Sequence, residues 1–456
     1  MRALRELAER TPGHRERHVD LLRALAIGAV VVGHWLAVVL VVENGELSGY
    51  NALELLAWTH PLTWLFQVMP LFFMVGGFAN AASLTAYRRR GEGDAAWLLS
   101  RAHRLIRPTS ALLLVLAGAA LVARTAGVDG ELVGTAVWLA SLPLWFLAAY
   151  LGMVVLTPPM HALHRRAGLV VPAVLVGLVV AADVVRSTDI GGLGFLGYAN
   201  FALGWLAIHQ IGFAWQDGRL PARPRLGAPV LAGGLVTLIG LTVLGPYPVS
   251  MVNVPGESVQ NAAPPTVALL ALATAQLGLA LLLRDPSERW LRRSGPWTAV
   301  VAVNAVVLTV FLWHFTAVVI AAVALYLTGL IPDLPAGSPG WLLWQLPWIA
   351  LLALLLAALV ATFGRIEVGG GRPSERPRWL PPAGADVLMS RWPRAVATAA
   401  GFTAVIAGLI GIAVSGPDDH GPFGLPSAPL IGYLAGAALL RVAGIAMARQ
   451  QDPARR

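Results

Sequence analysis

An all-α protein that crosses a membrane many times is what this sequence predicts, on three observations. The 456-residue chain is 57% hydrophobic and 12% charged, against about 25% charged residues in soluble domains. Its apolar runs recur at lengths of about twenty residues, enough to cross a bilayer's hydrocarbon core as helix. Its arginines gather between alternate runs, the pattern that marks cytoplasmic loops.

Residues 1–19 read as a basic cytoplasmic arm. The first span is expected at 20–42, the second at 58–84 and the third at 108–123. Pro108 suits a first helical turn, where its missing N–H costs nothing. The fourth to tenth spans are expected at 135–157, 169–185, 195–215, 227–245, 265–283, 298–328 and 341–363. An arginine- and proline-rich stretch, 364–393, reads as a cytoplasmic linker. The remaining segment, 394–456, holds two more apolar runs, 395–415 and 427–448, with a short tail. The loops 43–57 and 246–264 carry glutamate and no arginine and are expected outside. Only Arg124 and Arg186 fall on expected outside loops. The arginine bias therefore predicts twelve spans with both termini cytoplasmic, in a multi-pass protein of the cell membrane.

Composition removes several function classes. The formal charge of +9 is accounted for by arginines on cytoplasmic loops, so no nucleic-acid partner is expected. There is no cysteine, which excludes thiol catalysis and disulfides. No lysine occurs either; all 33 basic residues are arginine, which excludes Schiff-base and Walker-type lysine chemistry. No H-E-x-x-H, P-loop, nucleophile elbow or H-x-x-x-x-D acyltransferase box is present, and no metal is expected. Asp418-Asp419-His420 sits in a plain Gly/Pro turn. The first nineteen residues show no cleavable signal-peptide pattern.

One stretch organises the rest: D-L-L-R-A-L-A-I-G-A-V-V-V-G-H-W, Asp20 to Trp35. Arg23 and His34 are eleven residues apart, which returns a helix to within about 20° of the same face after a rise of roughly 16 Å. Ionisable groups inside a bilayer are costly and face protein or a watery cavity. Arg23, at the expected cytoplasmic end, suits an arriving anion, because guanidinium pairs phosphate bidentately. His34 suits a general base toward a hydroxyl. The competing reading is a packed core histidine with a snorkelling arginine. Asp20 shares this face and either orients Arg23 or caps the helix.

A second cluster is R-A-H-R-L-I-R-P, with Arg101, Arg104 and Arg107 spaced by three. It reads either as topogenic charge or as a cradle for a nucleotide or coenzyme phosphate. His314, in F-L-W-H-F, and Asn304, ten residues earlier, are possible cavity-lining groups within the ninth span. His60 and His209 are expected at span ends, and Asn80 and Gln276 as bridges between helices.

Four stretches in order resemble the membrane acyltransferase-3 family, whose members include enzymes that O-acetylate bacterial surface polysaccharides. These are Asp20 to Trp35, M-P-L-F-F-M-V-G-G-F (Met69 to Phe78), the arginine cluster before the third span, and F-L-W-H-F. The resemblance implies a ten-helix acyltransferase core over 20–363, with the two C-terminal helices additional to it. It implies an acyl-CoA donor, with acetyl-CoA foremost, and a hydroxyl of a cell-surface carbohydrate or similar acceptor. Arg23 and His34 would be the essential pair, and Arg101, Arg104 and Arg107 would cover the arginine motif, as Arg101/Arg104 or Arg104/Arg107. The chain departs from the pattern at Gly76, where the second-helix motif has serine, and at Trp313, where tyrosine-rich variants are common. Two other classes compete. Twelve spans also suit a secondary transporter, although no internal repeat is evident. A polyprenyl-linked glycosyltransferase would place its site on the outer loops, where acidic residues are few.

Overall fold

The long apolar runs do become helices, and the chain punctuates them with turn residues at most of the expected places. The computed structural model describes residues 15–221, 223–368 and 394–450. Most of the expected linker and the first fourteen residues of the basic arm lie outside the described residues. In chain order come α1 (Arg17–Ala37), strands β1 (Val38–Glu43) and β2 (Glu46–Asn51), α2 (Met69–Arg89), α3 (Asp94–Thr125), α4 (Gly130–Ser141) and α5 (Leu144–Ala167). Then follow α6 (Val170–Thr188), α7 (Asn200–Gln216), α8 (Pro224–Ile239), α9 (Val267–Trp290), α10 (Ser294–Ala305) and α11 (Val307–Thr328). The chain closes with α12 (Pro339–Val368), α13 (Arg394–Ala413) and α14 (Ser427–Gln450).

Among the described residues, eleven helical segments are long and apolar enough to cross a membrane. They cover the expected spans except the sixth. Where one span was expected at 195–215, the chain forms 3-10 turns and then α7, 17 residues long. From Gly204 on, nearly all of α7 is buried, as befits a helix apolar on every side. At 1.5 Å per residue it is about 25 Å long, a little short of a full hydrocarbon core.

Three boundaries differ from expectation for local reasons. First, α1 ends at Ala37 rather than at 42, and β1 and β2 form an antiparallel hairpin with Glu43 opposite Glu46. The run Val38-Val39-Leu40-Val41-Val42 is β-branched-rich, and Asn44 and Gly45 between the strands both take positive φ, 54° and 86°, as a two-residue hairpin turn requires. Second, Pro108 is not in a first turn but inside the 32-residue α3, which starts at Asp94. Asp94 pairs with Arg88 at 2.8 Å and supplies negative charge to the new helix start. The stretch 85–107, between the expected second and third spans, is therefore mostly helix. Third, the ninth span breaks at Val306 into α10 and α11.

The chain divides into two units. The first comprises residues 1–83, 159–307 and 325–350, and the second comprises 84–158, 308–324 and 351–456.

In the first unit the start of α1 is pinned to the end of α9. The Arg17 guanidinium donates to the Leu291 carbonyl at 2.6 Å and lies 4.8 Å from the Trp297 ring centre. His18 is buried, with its ring nitrogens 3.0 Å from Ser287 Oγ and 2.9 Å from the Ala280 carbonyl. Helices α2 and α7 cross at glycine. A Cβ added to Gly77 would meet the His209 carbonyl oxygen at 2.1 Å, and one on Gly212 would meet that of Met74 at 2.1 Å. Gly77 of the second-span motif thus makes a backbone-to-backbone contact.

The segment 245–266 in the same unit is a tied structure. Asn261 donates to the carbonyls of Pro248 and Ser250, Trp64 to that of Val249, and Gln67 to that of Met251. Asp183, buried on α6, accepts from Asn200, Tyr247 and the Val267 N–H. One carboxylate therefore joins α6, α7, this segment and the start of α9. Burial and the neighbouring Asp183 charge push the Tyr247 hydroxyl pKa up, so it stays a donor.

In the second unit, Trp97 packs with Leu84 and Val154 beneath the start of α3. Tyr433 on α14 is fully buried; its hydroxyl donates to the Ile106 carbonyl at 3.1 Å and lies 3.0 Å from Ser110 Oγ. The Gly/Pro turn holding Asp419 is structural, since Asp419 pairs with Arg124 at 3.1 Å.

Candidate active site

Arg23 and His34 occupy the inward side of α1. At about 100° per residue, Val19, Asp20, Ile27, Val30 and Val31 lie within a quarter turn of them. All five are buried. On the opposite side Leu25 is 59% exposed and Gly28 has no atom within 4 Å of where a Cβ would stand. The imidazole of His34 is nevertheless exposed. His34 thus keeps accessible surface where the residues flanking it on this face are buried.

The cytoplasmic-side expectation for Arg23 rests on sequence; its surroundings are structural. The N-cap of α1 is Glu16, so Asp20 sits in the first turn and is not the cap. The Asp20 carboxylate instead takes Arg15 through Nε at 2.6 Å and Nη2 at 3.1 Å, and Arg23 through Nη1 at 3.3 Å. Asp20 thus pairs with Arg23 and does not cap the helix. Asn304 on α10 donates to the Asp20 carbonyl at 2.8 Å and to that of Val300 at 2.9 Å. It braces α1 from 284 residues away. Asp20, Arg23, His34 and Asn304 all belong to the first unit.

Arg101, Arg104, Arg107 and His314 belong to the second unit. The three arginines lie on α3 and, at spacings of three, fan across about a third of its circumference. Arg101 stands over the Trp97 ring at 5.5 Å. Arg104 and Arg107 are exposed. His314 is fully buried on α11, and its Nδ1 donates to the Phe311 carbonyl at 2.5 Å. A carbonyl only accepts, so Nδ1 carries a proton.

Sequence reasoning missed Glu367, which it assigned to the linker. This carboxylate caps α11 from the last turn of α12. It accepts from the Leu308 N–H at 3.1 Å, the Thr309 N–H at 2.8 Å and the Thr309 hydroxyl at 2.7 Å. Arg104 lies within its electrostatic reach. The cap thus fixes the helix that carries His314 and answers one charge of the arginine cluster. A lone acid at the end of a long apolar run was the available signal. His209 is fully buried and 3.2 Å from the Asn80 amide. Asn80 therefore bridges α2 and α7, and Gln276 on α9 donates to the Gln67 carbonyl at 2.8 Å. Among the described residues there is no group of three or more histidine, cysteine or acidic side chains placed to hold a metal.

A family model described as an acyltransferase domain matches residues 17–364, from the first residue of α1 into the last turn of α12. The chain belongs to the acyltransferase-3 family. No curated protein and no solved structure matches it. This acyltransferase is a multi-pass membrane protein, and it transfers groups other than amino-acyl groups. Its α13 and α14 lie beyond the matched segment.

Proposed function

We propose that this acyltransferase moves an acetyl group from cytoplasmic acetyl-CoA to a hydroxyl of a cell-surface carbohydrate, in the plasma membrane. The observation that carries this reading is the exposed His34 imidazole on the buried face of α1, with the braced Arg23 three turns away on the same face. In this reading residues 20–363 are the catalytic core and 394–456 an addition that buttresses α3 through Tyr433. Both termini are cytoplasmic, as the arginine distribution supports.

The two α1 residues divide the work, because roughly 16 Å of helix rise keeps one carbonyl from touching both. Arg23, charged and held by Asp20, meets the anionic end of the arriving donor. His34 takes the proton of the acceptor hydroxyl as its oxygen attacks the thioester carbonyl. The new C–O bond forms, the C–S bond breaks, and the proton passes from His34 to the departing thiolate. The family resemblance gives the coenzyme-phosphate role to the arginine motif that Arg104 and Arg107, exposed on α3, cover. Changing Arg104 to glutamine is expected to weaken coenzyme A binding about tenfold, one charge-assisted hydrogen bond's worth. Calorimetry on the protein in nanodiscs checks this, and unchanged affinity would count against the arginine cradle.

The reading is tested by supplying membrane vesicles with radiolabelled acetyl-CoA and following label into carbohydrate. Incorporation that depends on the protein supports transfer. Uptake of intact solute without incorporation would favour a transporter instead.

A further inference from the structure

Helix α12 turns three tryptophans and an amide to one side. Trp341, Trp344, Gln345 and Trp348 fall at i, i+3, i+4 and i+7, a single helix face. They line an open pocket together with Val38 and Leu40, which stand two apart on one face of β1. Indole rings near a membrane surface ordinarily face the lipid interface. Here Leu342, Leu343 and Leu346 are the exposed residues, whereas Trp341 and Trp348 are buried and Trp344 is half-buried. The aromatic face is therefore turned into the protein. The pocket stands at the His34 end of α1. Strand β1 begins directly after α1, and the Trp348 indole N–H donates to the Trp35 carbonyl at 3.1 Å. All of these residues belong to the first unit.

One atom in this pocket has no partner. Gln345 is 7% exposed, and its Oε1 is buried without a hydrogen bond. A buried amide oxygen with no donor costs stability, so packing alone would place an apolar side chain there. The oxygen only accepts, so an O–H or N–H donor completes it. The pocket has room for one water-sized group, about 20 Å³. An acyl chain brings no donor. A hydroxyl fits on both counts, and the apolar face of a sugar ring that bears it matches an indole.

We propose that this pocket is an acceptor subsite, in which Gln345 Oε1 accepts from one hydroxyl of the carbohydrate while Trp344 stacks on its ring. His34 is not among the residues that line the pocket, so the hydroxyl held here is distinct from the one that His34 deprotonates. Gln345 orients the sugar, and a second hydroxyl reacts. This rests on the carbohydrate-acceptor reading above.

The test uses the full chain in nanodiscs and the variants Gln345→Leu and Trp344→Leu. The probe is the oligosaccharide fraction released from the surface of the cells that make the protein. Its binding is followed by saturation-transfer NMR from the aromatic protons, and coenzyme A binding by calorimetry. Gln345→Leu is expected to weaken oligosaccharide binding about tenfold, one hydrogen bond's worth, and Trp344→Leu several-fold. Coenzyme A affinity should stay unchanged, and Gln345→Leu should melt no lower than wild type. Unchanged oligosaccharide binding by Gln345→Leu overturns the subsite and leaves water as the partner of the amide oxygen. Weakened coenzyme A binding in its place overturns the subsite in favour of a donor pocket. If both variants bind oligosaccharide more weakly but wild type passes no label to it from radiolabelled acetyl-CoA, the subsite stands and the transfer reading fails. A wild type that labels lipid and binds no oligosaccharide overturns the subsite and keeps acyl transfer.

Discussion

Asp20 is the residue on which the α1 geometry turns, because one buried carboxylate holds two guanidinium groups while its own carbonyl takes Asn304. Changing Asp20 to asparagine keeps the shape and removes the charge. It should destabilise the protein by about 2–3 kcal/mol, since charge-assisted bonds are each worth roughly 1.5–3 kcal/mol and two arginines lose their partner. Thermal unfolding in detergent measures this, and a variant as stable as wild type contradicts the bracing role. Part of this arrangement was legible beforehand. Asp20 and Arg23 are three apart and must share a helix face. Asn304 was legible only as a polar group in a span, because its partner is distant in sequence. Tyr433 gave no signal at all, since a tyrosine in an apolar run is ordinary until its hydroxyl meets the Ile106 carbonyl.

At the scale of elements, α11 depends on a cap it does not own. Its N-cap residue, Val306, makes no side-chain capping bond, and Glu367 supplies the acceptors from α12. Changing Glu367 to alanine should cost about 1–2 kcal/mol, the usual worth of a helix cap. Hydrogen exchange at the Leu308 and Thr309 amides should quicken in the variant; unchanged protection there would refute the cap. The elements also show where sequence reading failed. An apolar run such as Val38 to Val42 has no periodicity that separates strand from helix, so its length joined it to the first span. The Asn44-Gly45 pair was the decisive hairpin signal. The arginine cluster was read as a loop because charge masked its helical spacing, although Asp94 marks the start of α3.

At the scale of the whole molecule, hydropathy made the membrane class and nearly all the spans readable, because a bilayer admits few backbone solutions. The family match then assigns the chemistry class to the segment that the four motifs bracket. The arginine placement proposes an orientation, and that makes a prediction of its own. Reporter fusions in the segment 246–264 should read as external, and fusions after Gln450 as cytoplasmic. The opposite pattern would invert the membrane and separate Arg23 from a cytosolic donor. The most direct measurement of the central claim is acetyl transfer by His34→Gln and Arg23→Gln, each shown to insert and melt like wild type. The account predicts a loss of about 10²–10⁴-fold in turnover for His34→Gln, as for removal of a general base, and a raised donor KM for Arg23→Gln. Near-normal transfer by His34→Gln would contradict it.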